Sequence, residues 1–321
     1  MPGAKMLRLI VVCIAGVVAG GVWFAVRAYR VYVVEQRAIG ALRALGHGVS
    51  EPSGWQALAL LGSHGETSVT VHGEGAEAGW AWIGDLRRVD GIEFVGATVS
   101  GEWIGRLRRP DRLWSLSVRG GQIQEGVWGE LHGLKGLEVV FLLDVAVADE
   151  RLSDLAALPA MKMLYLVNNG ISDAGLARLC AASKLEELHI ARNPIRGSAL
   201  GALSRVPNLR ILRIMDCPLR GDEVGGVAAM RCLEHLTLAG AACGLEVLRA
   251  VSQNSSVWSI RLVGPGVEDD GVALFGRMQN LRELYLIGTS VSAKAIAALE
   301  ATHPSLRVHV EPPGPAEAGR R

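Results

Sequence analysis

The sequence lacks an excess of charge of either sign, since 33 Lys and Arg residues balance 32 Asp and Glu residues and leave a net charge of +1. Nucleic-acid-binding domains are usually strongly basic, so this balance argues against that class. The chain also lacks the phosphate-binding loop of nucleotide hydrolases, the serine motif of hydrolases, the H-E-x-x-H zinc motif and the EF-hand loop. We therefore expect no catalytic residues, no metal and no cofactor.

Cysteine is scarce, and its spacing contains neither a C-x-x-C pair nor a Cys/His metal-ligand pattern. The number is odd, which argues against a closed set of disulfides. Buried cysteine commonly behaves as a small hydrophobic residue. We expect that role for Cys13, Cys180, Cys217, Cys232 and Cys243.

Residues 9–26 form an uncharged apolar run that follows a short tail, residues 1–8. Eighteen residues at about 1.5 Å each can just cross a bilayer core of about 30 Å, so the run predicts a single transmembrane anchor. A cleaved signal peptide is the alternative. The run ends in bulky and basic residues rather than in a small-residue cleavage site, which favours the anchor.

Four arginines follow the apolar run, whereas only Lys5 and Arg8 precede it. The excess of positive charge favours a cytoplasmic position for the rest of the chain, but large domains cross membranes largely regardless of charge, so the side stays open. The four are Arg27, Arg30, Arg37 and Arg43. Helical spacing of apolar residues then predicts a juxtamembrane helix, which Gly46 ends, and a linker within residues 27–65.

One apolar template recurs every 24 residues, with apolar side chains at offsets 0, 3, 5, 10, 15 and 18. It fits Leu281, Leu284, Leu286, Val291, Ile296 and Leu299. Nine repeats follow one another without insertion, from starts at Val89, Leu113, Leu137, Met161, Leu185, Leu209, Leu233, Val257 and Leu281. An imperfect unit around Val69 and Val71 predicts a cap, and residues 305–310 predict a closing strand.

The offsets predict one strand and one short helix in each repeat. Offsets 3 and 5 lie two residues apart and share one face of a strand, whereas offsets 15 and 18 share one face of a helical turn. A single unit cannot bury its apolar side alone, but stacked units form a continuous core. The pattern predicts an α/β solenoid.

The segments LYLVNNGI, LHIARNPI and LRIMDCPL resemble the leucine-rich repeat consensus L-x-x-L-x-L-x-x-N/C-x-L, and the match covers residues 66–310. The 24-residue period and the preceding apolar run are similar to a bacterial, membrane-anchored group of these proteins. The resemblance implies a horseshoe with a parallel concave sheet and a protein-binding role. Offset 8, the usual asparagine position, departs from the consensus at Ala97, Gly121, Val145, Ala241 and Pro265. The tail, residues 311–321, is rich in Pro and Gly and predicts disorder.

Offset 4 lies between the two buried strand positions and should point to the concave face. Its middle members, Phe141, Tyr165, His189 and Arg213, should be neighbours in space, because adjacent strands lie about 4.8 Å apart. Aromatic residues and arginine are common anchors of protein interfaces. We therefore predict a partner-binding site at Phe141, Tyr165, His189, Arg213, Met163, Glu187, His235, Arg261 and Tyr285.

These features predict a membrane-anchored module that binds a protein or peptide partner. A structural spacer of the cell envelope without a dedicated ligand is the first alternative, since β-favouring residues also populate solvated sheets. An enzyme that uses Tyr165, His189 and Arg213 is the second, although no nucleophile accompanies them in the sequence.

Overall fold

Twelve strands of the chain form one sheet in a computed structural model, which describes residues 37, 48–50, 68–73, 82–86, 89–240 and 243–312. The described residues contain fourteen strands in all, and two of them, β4 and β6, lie outside this sheet. The strands are β1 Gly48–Ser50, β2 Ser68–His72, β3 Gly91–Val95, β4 Thr98–Val99, β5 Ser115–Arg119, β6 Gln122–Ile123, β7 Val139–Leu143, β8 Met163–Val167, β9 Glu187–Ala191, β10 Ile211–Met215, β11 His235–Ala239, β12 Ser259–Val263, β13 Glu283–Ile287 and β14 Arg307–Glu311. The sheet runs in chain order from β1 to β14, while β4 and β6 pair separately.

Neighbouring strands pair in parallel with a shift of 24 residues from β5 onward, so that Leu164 lies beside Leu188 and Leu188 beside Leu212. The second and fourth residues of each five-residue strand are buried from β2 to β13. Leu212, for example, has no exposed surface. The parallel α/β solenoid and the phase of its repeat are confirmed.

The returning half of each repeat contains only short helical segments. The α-helices are Glu102–Arg106, Val127–Glu130, Arg151–Ala156, Asp173–Ala177, Leu200–Leu203, Leu245–Val251, Asp269–Ala273 and Ala293–Thr302, and the 3-10 turns are Pro110–Arg112, Leu131–Gly133, Arg178–Ala181, Val224–Ala229 and Leu274–Arg277. Their apolar residues pack against the buried face of the sheet in one continuous core. The other face of the sheet, formed by the first, third and fifth residues of each strand, is called the open face below.

The residue after each five-residue strand from β2 to β13 has a positive φ, between 50° and 121°. Six of the ten are glycine, which adopts this conformation without strain. The other four are Asp144, Asn168, Arg192 and Asp216. Asn and Asp tolerate left-handed backbone better than most residues, whereas Arg192 has no such preference. The backbone therefore has a positive φ after each of these ten strands, whatever the residue.

Two kinds of hydrogen bonding stabilise the turn at offset 8, one from asparagine side chains and one from the backbone. In the middle repeats, Asn193 accepts backbone N–H groups from Asn169 and Ile171 at 3.0 and 3.2 Å, and it donates to Leu166 and Ala191. In the first repeats, where the sequence departs from the consensus, β4 and β6 pair through their own backbones instead. A side chain at Gly121 would lie 2.1 Å from the carbonyl oxygen of Ala97, so this pairing requires glycine.

Aspartate side chains at the helix N-termini also form hydrogen bonds between consecutive repeats, and these are called the aspartate ladder below. Asp173 accepts the backbone N–H groups of Arg196, Gly197 and Ala199 at 2.7–3.0 Å, all in the next repeat. At the same repeat position, Asp269 accepts from the backbone N–H and hydroxyl of Ser292, and these bonds lower the pKa of Asp269. The acidic residues at helix starts therefore bind the neighbouring repeat, which sequence inspection did not predict.

The described sheet continues beyond both ends of the predicted repeat array. β1 lies within the predicted linker and pairs antiparallel with β2, so part of residues 27–65 extends the sheet. At the other end, β14 includes Glu311, the first residue of the predicted disordered tail. The predicted anchor, residues 9–26, and residues 313–321 lie outside the described residues. Within the part that is described, no helix is both long and apolar enough to cross a membrane.

Candidate functional site

The strand register brings the predicted offset-4 residues into one line on the open face. Phe141 lies beside Tyr165, Tyr165 beside His189, and His189 beside Arg213, each as the third residue of its strand. These four residues are called the central row. Their alignment follows from the uniform repeat length, since a residue at the same offset in the next repeat becomes the lateral neighbour.

The aromatic members of the central row stack on one another. The ring centroids of Phe141 and Tyr165 lie 4.4 Å apart, and those of Tyr165 and His189 lie 4.0 Å apart, with interplanar angles of 28° and 29°. Stacking of aromatic rings is favourable beyond simple burial. The three rings are therefore held by each other as well as by their strands.

His189 is the most buried member of the row, with 6% of its surface exposed. Its Nε2 atom makes a very short contact with the carboxylate of Glu187, the first residue of the same strand. Burial lowers the pKa of His189, although the hydrogen bond to Glu187 opposes this shift. Burial also raises the pKa of Tyr165, and the nearby charge of Glu187 acts in the same direction.

Arg213 ends the row as an exposed cation. Its side chain is 45% exposed, and its Nη2 atom lies 3.8 Å from a carboxylate oxygen of Glu187. Half-exposed apolar side chains border the row at the first and fifth positions of the same strands. They are Leu143, Met163, Val167, Ile211 and Met215. The middle of the open face thus presents an aromatic and aliphatic surface beside the exposed guanidinium of Arg213, which is loosely paired with Glu187.

A second aromatic group lies toward the end of the sheet. The guanidinium carbon of Arg261 lies 4.7 Å from the ring centroid of Tyr285, and the ring of Tyr285 stacks on His309 at 4.6 Å. These three residues are called the end cluster. His309 was not among the predicted site residues, although it occupies the same strand position in β14. His235, which was predicted, contacts Trp258 edge-on at 4.4 Å and belongs to neither group.

The central row also makes contacts within the molecule. Phe141, Tyr165 and His189 stack on one another, and His189 is nearly buried. Truncating them should therefore affect stability as well as any binding. Arg213, which is exposed, is the member whose removal should disturb the fold least.

Two of the described cysteine side chains, Cys217 and Cys243, are buried. Burial raises the pKa of the Cys217 thiol and raises that of Cys243 to about 12, so both thiols are poor nucleophiles at neutral pH. Among the residues that the structure describes, no group of three or more His, Cys, Asp or Glu side chains is placed to hold a metal ion.

No protein-family model and no curated protein sequence matches the chain. Among solved structures, internalin C2 of Listeria monocytogenes is similar at 19% identity, over 72% of this chain and 83% of that one, with a TM-score of 0.42. Internalin F of the same organism is similar at 18% identity, over 76% and 86% of the two chains, with a TM-score of 0.40.

The fold follows from the chain's own repeat. Each 24-residue unit supplies one parallel strand with two buried apolar residues, a left-handed turn and a short returning helix. In the middle repeats, buried asparagines bind the turn backbone of adjacent units. These are the features of the leucine-rich repeat fold, which the chain adopts.

Proposed function

We propose that the chain is a membrane-anchored interaction protein that binds a protein or peptide partner across the central row. The observation that carries this proposal is the arrangement of a stacked aromatic surface beside the exposed Arg213, bordered by half-exposed apolar side chains. Aromatic residues and arginine at the centre of an apolar patch are typical of interface hot spots.

The stacking also favours binding on energetic grounds. Side chains that are already held in one conformation lose little further entropy when a partner covers them, so more of the contact energy appears as affinity. Phe141 and Tyr165 are held in this way by the strands and by each other. A partner with an apolar side chain next to a carboxylate fits the site, because the carboxylate would lie near Arg213.

The anchor belongs to the same proposal and is supported by the uncharged run of residues 9–26. Full-length protein should fractionate with membranes and resist extraction by salt and by high pH. Recovery of the full-length chain in the soluble fraction, or a mature chain that starts after Val26, would contradict an uncleaved anchor.

The spacer alternative is favoured by one specific observation. The ring nitrogen of His189 is already satisfied by Glu187, and the aromatic rings already contact one another. Side chains that already bond to and stack on one another can stabilise the fold without binding any partner. Partner binding and a purely structural role therefore differ in what happens when Arg213 is removed.

The test begins with proximity labelling around the full-length protein, and the partner found is then titrated against purified full-length chains. Arg213→Ala should weaken binding at least tenfold, since hot-spot truncations cost about 2 kcal/mol or more. Lys294→Ala is the matched control, because Lys294 is an exposed cation on the helix Ala293–Thr302, away from the open face. Equal affinities for the wild type and Arg213→Ala, with unchanged melting temperatures, would exclude the central row and favour the spacer.

A further inference from the structure

The last strand of the sheet, β14, has one edge that no described residue covers. Arg307 N–H donates to the Arg282 carbonyl, and the Glu311 carbonyl accepts from Gly288 N–H, so alternate residues of β14 bind inward to β13. Val308 and Val310 are the other residues of this alternation, so their backbone N–H and C=O groups point away from β13. An edge with free N–H and C=O groups is a template for another strand.

The side chains of β14 are unusually exposed for this molecule. Four of its five residues are exposed, including Val310 at 58%. The apolar positions of the last repeat are also only partly covered, since Val291 and Ile296 are half-buried whereas Val267 and Val272, their counterparts one repeat earlier, have no exposed surface. The core is thus incompletely closed at this end of the described solenoid.

The sequence of β14, Arg-Val-His-Val-Glu, is complementary to itself when two copies run antiparallel. With His309 opposite His309 of a second copy, Arg307 lies opposite Glu311 in both halves of the pair. Directly opposite residues share one face of the sheet, with Cβ atoms about 4.5–5.5 Å apart, so the two ion pairs form on the open face. Within the described residues, neither Arg307 nor Glu311 has an ion-pair partner of its own.

Backbone geometry favours the same register. In antiparallel sheets, hydrogen-bonded residue pairs alternate with pairs that share no hydrogen bond. Pairing about His309 sets Val308 opposite Val310, and these are the residues whose backbone groups point outward. Four N–H···O bonds would then form, two from each copy. His309 already stacks on Tyr285, so the aromatic line of the end cluster would continue into the second copy.

We infer that the chain forms a two-fold dimer in which β14 of each copy pairs antiparallel with β14 of the other, joining the two sheets edge to edge. The exposed Val310 side chains come to lie beside Val308 of the opposite copy, on the side of the sheet that carries the core. This interface is separate from the central row, so the test of dimerisation does not depend on whether the central row binds a partner.

Charge variants of the full-length chain test the register directly by sedimentation in the same mild detergent at a series of concentrations. Glu311→Arg places two arginines opposite two arginines and should weaken dimerisation by about tenfold or more, because like charges directly opposite repel. Arg307→Glu should weaken it similarly. An equal mixture of these two single variants should form a heterodimer of near wild-type affinity, since every opposed pair is again complementary.

The double variant Arg307→Glu with Glu311→Arg provides a second rescue, because it restores complementarity within one chain. Melting temperatures of all variants show whether each chain is folded, and Arg307→Glu needs this control because Glu283 lies beside it in β13. A wild-type chain that stays monomeric at every concentration overturns the inference. So does a dimer whose affinity is unaffected by either single variant, or single variants that neither the mixture nor the double variant rescues.

Crosslinking gives an independent reading of the register. In a Cys232→Ser background, which removes an exposed native thiol, His309→Cys should form an intermolecular disulfide under mild oxidation. Opposed residues that share no hydrogen bond have Cα atoms about 4.5 Å apart, within disulfide range. Glu311→Cys is the matched control and should not crosslink to itself, because Arg307 of the other copy faces it. Crosslinking of Glu311→Cys but not of His309→Cys would overturn the proposed register.

Discussion

The central row and the end cluster place similar side chains at the same repeat position on the same face, yet their surroundings differ. His189 is 6% exposed and bound to Glu187, whereas His309 stacks on Tyr285 but is exposed. His189 has a strand on each side, while β14 has a described neighbour on one side alone. The comparison indicates that a missing neighbouring strand leaves an open-face histidine more exposed.

The largest expected difference between the two regions lies in the core beneath them. Leu212 is fully buried in β10, so Leu212→Ala should lower the free energy of unfolding by about 2–5 kcal/mol. Val308 has the same strand position in β14 but is only partly buried, so Val308→Ala should cost roughly 1 kcal/mol. Urea denaturation of the variants would measure both. Arg213→Ala, next to Leu212, should cost no more than about 0.5 kcal/mol, and a larger loss there than at Leu212 would contradict the repeat phase.

The two histidines should differ next. His189→Ala removes a stacking contact with Tyr165 and the hydrogen bond to the largely buried Glu187, for an expected loss of about 1–3 kcal/mol. His309→Ala should change stability by no more than about 0.5 kcal/mol in the monomer, because the site is exposed. Equal losses for the two variants, measured at concentrations where the chain is monomeric, would show that lateral neighbours do not set the difference.

The aspartate ladder offers a smaller contrast along the edge of the solenoid. Asp173→Ala leaves three backbone N–H groups of the next repeat without their acceptor and should cost about 1–2 kcal/mol, comparable to loss of a strong helix cap. Asp269→Ala, at the same repeat position near the end, should cost less because its acceptor role is confined to one exposed serine. Thermal melting of the pair gives the ranking, and a greater loss at Asp269 would be the contrary result.

The smallest expected effect is on pH dependence. Since the pKa of His189 is lowered in the folded state, the unfolded chain binds more protons once the pH falls below about 6.5. The contribution of His189 to stability is therefore present above that pH and is lost as the pH falls toward the lowered value. His189→Gln should remove this part of the pH dependence, whereas His309→Gln should retain it. Urea denaturation midpoints of the two variants, measured about every half pH unit between about pH 7.5 and 5, would show the difference in pH dependence.

Sequence periodicity predicted the phase of the repeat because burial in a solenoid repeats with the chain. Leu164, Leu188 and Leu212 recur at one offset, and each is buried between the same kinds of neighbours. Likewise, the placement of Tyr165 beside His189 followed from repeat length alone. Other contacts were missed because the apolar template does not include the polar residues at the turns and helix starts, as between Asp173 and Ala199. An aspartate at one fixed offset in several repeats was the available signal.

The sequence by itself determined which residues face the core and which face the open side. Side chains alternate between the two faces of a strand, and equal repeat lengths keep the same alternation in every strand. Only the tertiary structure decided that His189 is buried, that β1 extends the sheet from the predicted linker, and that the edge of β14 is uncovered by any described residue. Each of these depends on how many neighbours a residue or strand acquires. That number is a property of the assembled sheet, and no single repeat contains it.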